Sequence, residues 1–133
     1  MKLSDDAFEI HADEKQILES YVRAAGVPDC GEGIVYPDRF KMLALNAVIH
    51  FLGYCREVDP RATDNVEVRN EGCSAVIEVR LAEFSLFGFA SSPIDEISLF
   101  GKTASTCDRV CFYADGDTLV LRFEIREFWV HKE

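Results

Sequence analysis

The sequence predicts an α+β fold: a two-layer sandwich of an antiparallel-rich mixed sheet with helices on one face. Three observations predict it. Residues 66–81 and 109–126 alternate apolar and polar side chains about Gly-containing turns, the pattern of two hairpins with one solvated face. Residues 13–26 and 37–55 carry apolar residues at helical spacing behind capping signals. The chain has 133 residues, 48% of them hydrophobic, enough for one domain that buries roughly two-thirds of its unfolded surface. The expected order is strand, helix, helix, strand, strand, helix, strand, strand, in which strands and helices are mixed but hairpins dominate.

Each element has its own signal. Ala7 to Ala12 alternate, with Phe8 and Ile10 on one face, and predict a short first strand. Asp13 reads as an N-cap, with Gln16 three residues on. Ile17, Leu18, Tyr21, Val22 and Ala25 continue at helical spacing to Gly26. Pro28, Gly31 and Gly33 mark residues 27–33 as loop. The second helix is expected to start at Pro37-Asp38, with proline in the first turn and the acid at the positive end of the dipole. Phe40, Leu43, Ala44, Ala47, Val48 and Phe51 form one apolar stripe, and Leu45, Ile49 and Leu52 lie on other faces. A helix apolar most of the way round is expected to be buried on more than one side.

Val66 and Val68 alternate with Glu67 and Arg69, Asn70-Glu71-Gly72 reads as a turn, and Ala75, Ile77, Val79 and Leu81 alternate with Glu78 and Arg80. Ser92-Pro93, followed by Asp95 and Glu96, opens a third helix expected to reach about Thr106. The last hairpin runs from Arg109, turns at Asp115-Gly116, and returns with Leu119, Leu121, Phe123 and Ile125 inward. The whole chain, 1–133, reads as one domain, with about six N-terminal and four C-terminal residues, His131 among them, as loose ends.

Charge narrows the function classes. The balance is 14 Lys+Arg against 24 Asp+Glu, a net charge of −10. That disfavours nucleic acid as a partner, since counterion release needs Lys and Arg against phosphates. Ten Phe, four Tyr and one Trp are too many for a disordered chain. No run of about 18 apolar residues suggests a membrane span. The five cysteines (Cys30, Cys55, Cys73, Cys107 and Cys111) are odd in number, and Met1 to Asp6 lacks a basic region followed by an apolar run. Both facts suggest a cytoplasmic protein with free thiols. The C-x3-C spacing of Cys107 and Cys111 has no second pair at zinc-ligand spacing, and Cys111 is expected to pack in the core.

Met42, Asn46 and His50 recur every four residues and share one face of the second helix. On a mostly apolar helix the two polar members need partners. They either bond to backbone or water within the fold, or line a ligand pocket. Phe128 and Trp129 close the last hairpin. They either cover a sheet edge or the first helix, or form an exposed interface, such as that of a homodimer.

The run Leu45-Asn46-Ala47-Val48-Ile49-His50 resembles the N-box helix of the GHKL (histidine-kinase-like) ATPases, and most closely the anti-sigma-factor serine kinases of bacterial sporulation and general stress control. Phe8-Glu9-Ile10-His11-Ala12 with the first helix resembles that family's opening. Val66 to Arg80 resembles the hairpin after the N-box, and Cys107-Asp108-Arg109-Val110 with the last hairpin its closing strands. The resemblance spans residues 7–127 and implies the histidine-kinase-like ATPase fold, the same sandwich that periodicity predicts. It also implies a nucleotide site in which Asn46 helps hold the magnesium of ATP.

The departures redirect the functional expectation. Where the family carries its catalytic Glu, this chain has Met42, whose thioether takes no proton. The family's Asp-x-Gly-x-Gly box is matched by Leu81-Ala82-Glu83-Phe84-Ser85, and its phosphate-cradling Gly-x-Gly turn by Ile97-Ser98-Leu99-Phe100, with Gly101 the nearest glycine. Residues with a Cβ deny phosphate the approach that glycine allows. What remains for a nucleotide is Asn46, His50, Leu81, Glu83, Leu99 and Gly101. The resemblance so amended implies a bacterial regulatory domain that binds a sigma factor or an anti-sigma antagonist. Its catalytic residues are none, and its expected cofactor is none, or Mg-ATP if the site survives. Two alternatives stand beside it. One is a divergent Mg-ATP serine kinase in which Glu83 or Asp95 replaces the missing acids. The other is a small-molecule binder whose pocket is walled by Met42, Leu81, Phe84, Leu99 and Phe100.

Overall fold

The computed structural model describes residues 3, 5–8, 13–58, 61, 64–82 and 101–131. Over these the chain folds as an α+β two-layer sandwich. A 3-10 turn, Asp5–Phe8, precedes α1 (Glu14–Ala25), β1 (Val35–Pro37), α2 (Arg39–Val58), β2 (Val66–Glu71), β3 (Ser74–Ala82), β4 (Arg109–Asp115), β5 (Thr118–Ile125) and β6 (Trp129–His131). Four strands form one sheet in the order β2-β3-β5-β4, and β1 pairs with β6 in a second, two-stranded sheet. Every pairing among the described residues is antiparallel, so the mixed sheet expected from sequence is replaced there by purely antiparallel ladders.

The local chemistry explains the boundaries. The Asp13 carboxylate accepts from the Gln16 amide at 2.8 Å and starts α1. At the far end Gly26 takes φ +79° while its N–H closes on the Val22 carbonyl at 2.9 Å. Both hairpins of the large sheet close on two residues, Gly72-Cys73 and Gly116-Asp117, each one residue later than periodicity suggests. Gly72 (φ +59°) and Gly116 (φ +64°) occupy the first turn position, where a left-handed residue matches the twist of the strands.

Register puts Val66, Val68, Ala75, Ile77, Val79, Leu121, Phe123 and Ile125 on the face that meets the helices, each at most 3% exposed. Ile17, Tyr21, Leu45, Val48, Ile49, Phe51 and Leu52 cover that face, and the Phe51 and Phe123 rings meet edge-on at 5.9 Å. The opposite face is more covered than alternation predicts. Val76, flanked across the strands by Arg69 and Glu124, is fully buried. Glu78, 6% exposed, is ringed by Arg69, Arg80 and Arg122 at 3.3, 3.8 and 3.9 Å. Long guanidinium stems lie along such a face while their heads stay wet.

Several expectations are corrected. The predicted first strand is not formed at its start: Ala7 and Phe8 are consecutive, both buried, and belong to the 3-10 turn; residues 9–12 lie outside the described residues. Leu3 is 2% exposed in the core, so the N-terminal stretch is not wholly loose. Pro37 ends β1 instead of opening α2. Val130 and His131 are not a frayed tail, since they pair with Tyr36 and Val35. The five cysteines are not all free. Cys30 and Cys73 are joined by a disulfide, leaving Cys55, Cys107 and Cys111 as thiols. Cys111 lies opposite Arg122 on the outer face of the sheet and is half-buried, not in the core. The helix signal at Ser92-Pro93 lies outside the described residues; residues 101–106 are helical, ending where expected.

Gly53 in α2 shows how tightly the N-terminal turn is seated. Alanine ordinarily improves a helix interior by about 1 kcal/mol over glycine. A Cβ at Gly53, however, would sit 2.9 Å from the Phe8 carbonyl oxygen. Gly53→Ala is therefore expected to lower stability by about 1–3 kcal/mol, as overpacking does. Urea unfolding checks this; an unchanged or higher midpoint would mean that the 3-10 turn gives way freely.

Candidate functional site

The candidate site lies along α2. The helix begins at Asp38, whose Oδ1 accepts from the Phe40 and Lys41 amides at 2.9 and 3.1 Å. Lys41 reaches Asp108 Oδ2 at 3.4 Å, and that oxygen also accepts the Arg126 amide at 2.7 Å. Asp108 thus fixes the start of α2 against the turn that follows β5.

Around this anchored helix the faces separate. Met42, Leu45 and Ile49 point into the core, at 6, 0 and 1% exposure. The Met42 thioether is therefore part of the hydrophobic core. Asn46, Ala47 and His50 are half-buried. Thr103, 1% exposed, donates its hydroxyl to the Ala47 carbonyl at 3.5 Å and so lays the 101–106 helical segment against this face.

Asn46 Oδ1 and His50 Nε2 are both buried, and neither has a hydrogen-bond partner among the described residues. One turn apart, they form a pair of unsatisfied groups on one face. Leaving such a group unpaired costs about 1–3 kcal/mol, so the pair calls for a physical reason. Donor groups of a bound molecule would supply one. Magnesium fits the described residues poorly. It takes carboxylate and phosphate oxygens in near-octahedral array, and Asn46 offers one neutral oxygen. Among the described residues no cluster of three His, Cys, Asp or Glu is placed to hold a metal ion.

The remaining candidates are dispersed. Leu81 sits in β3 opposite Leu119. Gly101 opens the 101–106 segment, exposed, with open space where a Cβ would stand. Glu83, Phe84, Asp95, Leu99 and Phe100 lie outside the described residues. Phe128 and Trp129 do not form an exposed interface. They are 0 and 6% exposed and pack on the Tyr21 ring at 5.2 and 6.5 Å, covering α1. Burial holds the Tyr21 hydroxyl well above the usual tyrosine range, so it stays a neutral donor to the Arg69 carbonyl and Asn70 Oδ1, both at 3.0 Å.

Two features were assigned differently from sequence. Phe40 and Leu43, read as part of a buried stripe, are 78 and 56% exposed, so the first turns of α2 present an apolar face to solvent. The only hint is local: Arg39 and Lys41 flank Phe40. Asn70, read as a turn residue, is instead a hub. Its Oδ1 accepts from Tyr21 and from Trp129 Nε1 (2.8 Å), and its Nδ2 donates to the Gly26 carbonyl at 3.3 Å. Among the described residues no helix is long and apolar enough to cross a membrane. Set against family models, curated proteins and solved structures, the chain matches none.

Proposed function

We propose that this chain is an anti-sigma-factor-like regulatory domain that acts in the bacterial cytoplasm by binding a protein partner, with ATP binding and phosphotransfer lost. The observation that carries the reading is the division of α2. Met42 is buried in the core where a catalytic base would have to face solvent and substrate, while Phe40 and Leu43, beside it, stand exposed. A core thioether supports no proton abstraction, whereas an exposed apolar pair on a capped helix suits a protein contact. The net charge of −10 favours a basic partner and fast encounter. By resemblance that partner is a sigma factor or an anti-sigma antagonist.

The test substitutes the exposed pair. Phe40→Ser with Leu43→Ser is expected to leave the melting temperature nearly unchanged, since neither side chain is in the core. It is expected to weaken binding to the cognate sigma factor or antagonist by at least roughly tenfold, as loss of an interface anchor does. Pairwise titration of candidate partners reads the effect; unchanged affinity would remove this face from the interface.

A second reading rests on the unpaired Asn46 Oδ1 and His50 Nε2. In it the remodelled nucleotide site still takes a small molecule that hydrogen-bonds to this pair, or Mg-ATP with Glu83 or Asp95 in place of the missing acids. A ligand-dependent thermal shift abolished by Asn46→Ala would favour it.

A further inference from the structure

The disulfide joins two parts of very different rigidity. Cys30 lies in the 27–34 connection between α1 and β1; Cys73 is the second residue of the β2–β3 turn, 43 positions on. The Cys73 side is held firmly. Its carbonyl accepts the Trp129 amide at 3.0 Å, and the β2–β3 ladder closes beside it at Glu71 and Ser74. The Cys30 side is held lightly. Among the described residues, 27–34 makes no backbone hydrogen bond to the hairpin or to either helix. Val27 is 92% exposed and Ile34 70%. Cys30 packs against the edge of the core and Pro28 is half-buried, but residues 29 and 31–34 are exposed, and a Cβ at Gly31 or Gly33 would come no nearer than 3.9 or 4.0 Å to the His131 ring. Both cysteines are half-buried.

We propose that Cys30 and Cys73 are a reversible thiol–disulfide switch that fastens and releases the 27–34 connection. In the releasing direction a low-molecular-weight thiolate attacks one sulfur, the Cys30–Cys73 bond breaks, and the departing cysteine thiolate takes a proton. A second small thiolate then attacks the first one's sulfur in the mixed disulfide; the other cysteine leaves as a thiolate that takes a proton, and a small-molecule disulfide is the product. Two electrons pass from the small thiols to the protein; the fastening direction returns them to a small-molecule disulfide. On the reading that Phe40 and Leu43 form the partner face, release reaches it through Ile34, which leads into β1 and then into Asp38, the cap of the helix that bears them. The remaining thiols interfere little. Cys55 is buried, and burial pushes the Cys107 thiol up to about 11, so it is almost wholly protonated at neutral pH. Cys111 is the half-buried exception and is best replaced by serine.

The test uses the full chain carrying Cys111→Ser, equilibrated with oxidised glutathione or with dithiothreitol and followed by limited proteolysis read by mass. Cleavage within 27–34 is expected to speed roughly tenfold on reduction, while β3 and β5 are cut at less than about a tenth of that rate in either state. Trp129, the single tryptophan, is bonded through its amide to Cys73, and its fluorescence is expected to track the mass change of about 2 Da reversibly. Adding Cys73→Ser is expected to abolish every response. Three results would overturn the proposal: cleavage within 27–34 that is indifferent to reduction, cleavage within β3 and β5 as fast as within 27–34, or thiols that stay reduced in oxidised glutathione.

Discussion

Reducing the Cys30–Cys73 bond is expected to lower the unfolding free energy by about 4 kcal/mol. The value follows from the loop that the bond closes: restoring chain freedom across a separation of 43 residues is worth about that much in the chain-entropy account. Single domains of this kind carry a total of about 5–15 kcal/mol, so the reduced chain is expected to stay folded but to unfold at clearly lower urea. The Cys30→Ser, Cys73→Ser double variant should match the reduced protein and ignore dithiothreitol. A loss below about 1 kcal/mol in both would mean that the bond closes a loop already restrained in the unfolded chain.

Asn70→Leu is expected to cost about 2–4 kcal/mol, although Asn70 is a single half-buried side chain near a turn. Its amide group is the meeting point of three elements. Trp129 Nε1 loses its acceptor, the Gly26 carbonyl at the end of α1 loses a donor, and Tyr21 loses one of its acceptors while keeping the Arg69 carbonyl. The tryptophan N–H is the expensive loss, because Trp129 is 6% exposed and water cannot readily replace the bond. A double-mutant cycle with Trp129→Phe should show coupling of about 1 kcal/mol, since either change alone breaks the same bond. Additive losses would show that the two side chains act independently.

The parts of the fold that could be read from the sequence share one property: their signals are local. The Asp13 cap, the Gly26 stop, the Asp38 start and the two hairpins each reside in a few neighbouring residues, and the hairpin turns are displaced by only one. Interactions between distant residues left no such trace. β1 and β6 are three residues each, too short for periodicity, and find each other across most of the chain. Cys30 and Cys73 are each next to a glycine, but nothing in their spacing pairs them. The alternation of Phe8 with Ile10 resembled a strand, yet Ala7 and Phe8 are buried side by side, which a 3-10 turn permits and a half-solvated strand does not.

The candidate site divides the same way. That Met42, Asn46 and His50 share one helix followed from spacing, but spacing does not say how far along a helix its partner surface extends. The stripe from Phe40 to Phe51 therefore looked uniformly buried, whereas Phe51 is 1% exposed and Phe40 78%. The same arithmetic placed Met42 on the face of Asn46 and His50. Its packing with Leu45 and Ile49 in the core depends on tertiary contacts that no helical wheel contains.

The central claim, a partner-binding domain without nucleotide chemistry, is tested most directly by isothermal titration of the full chain with ATP and with ADP, each with and without magnesium. The account predicts no binding heat at micromolar to submillimolar nucleotide under all four conditions. Magnesium-dependent ATP binding at micromolar affinity, lost on Asn46→Ala, would contradict it and restore an ATP-binding kinase.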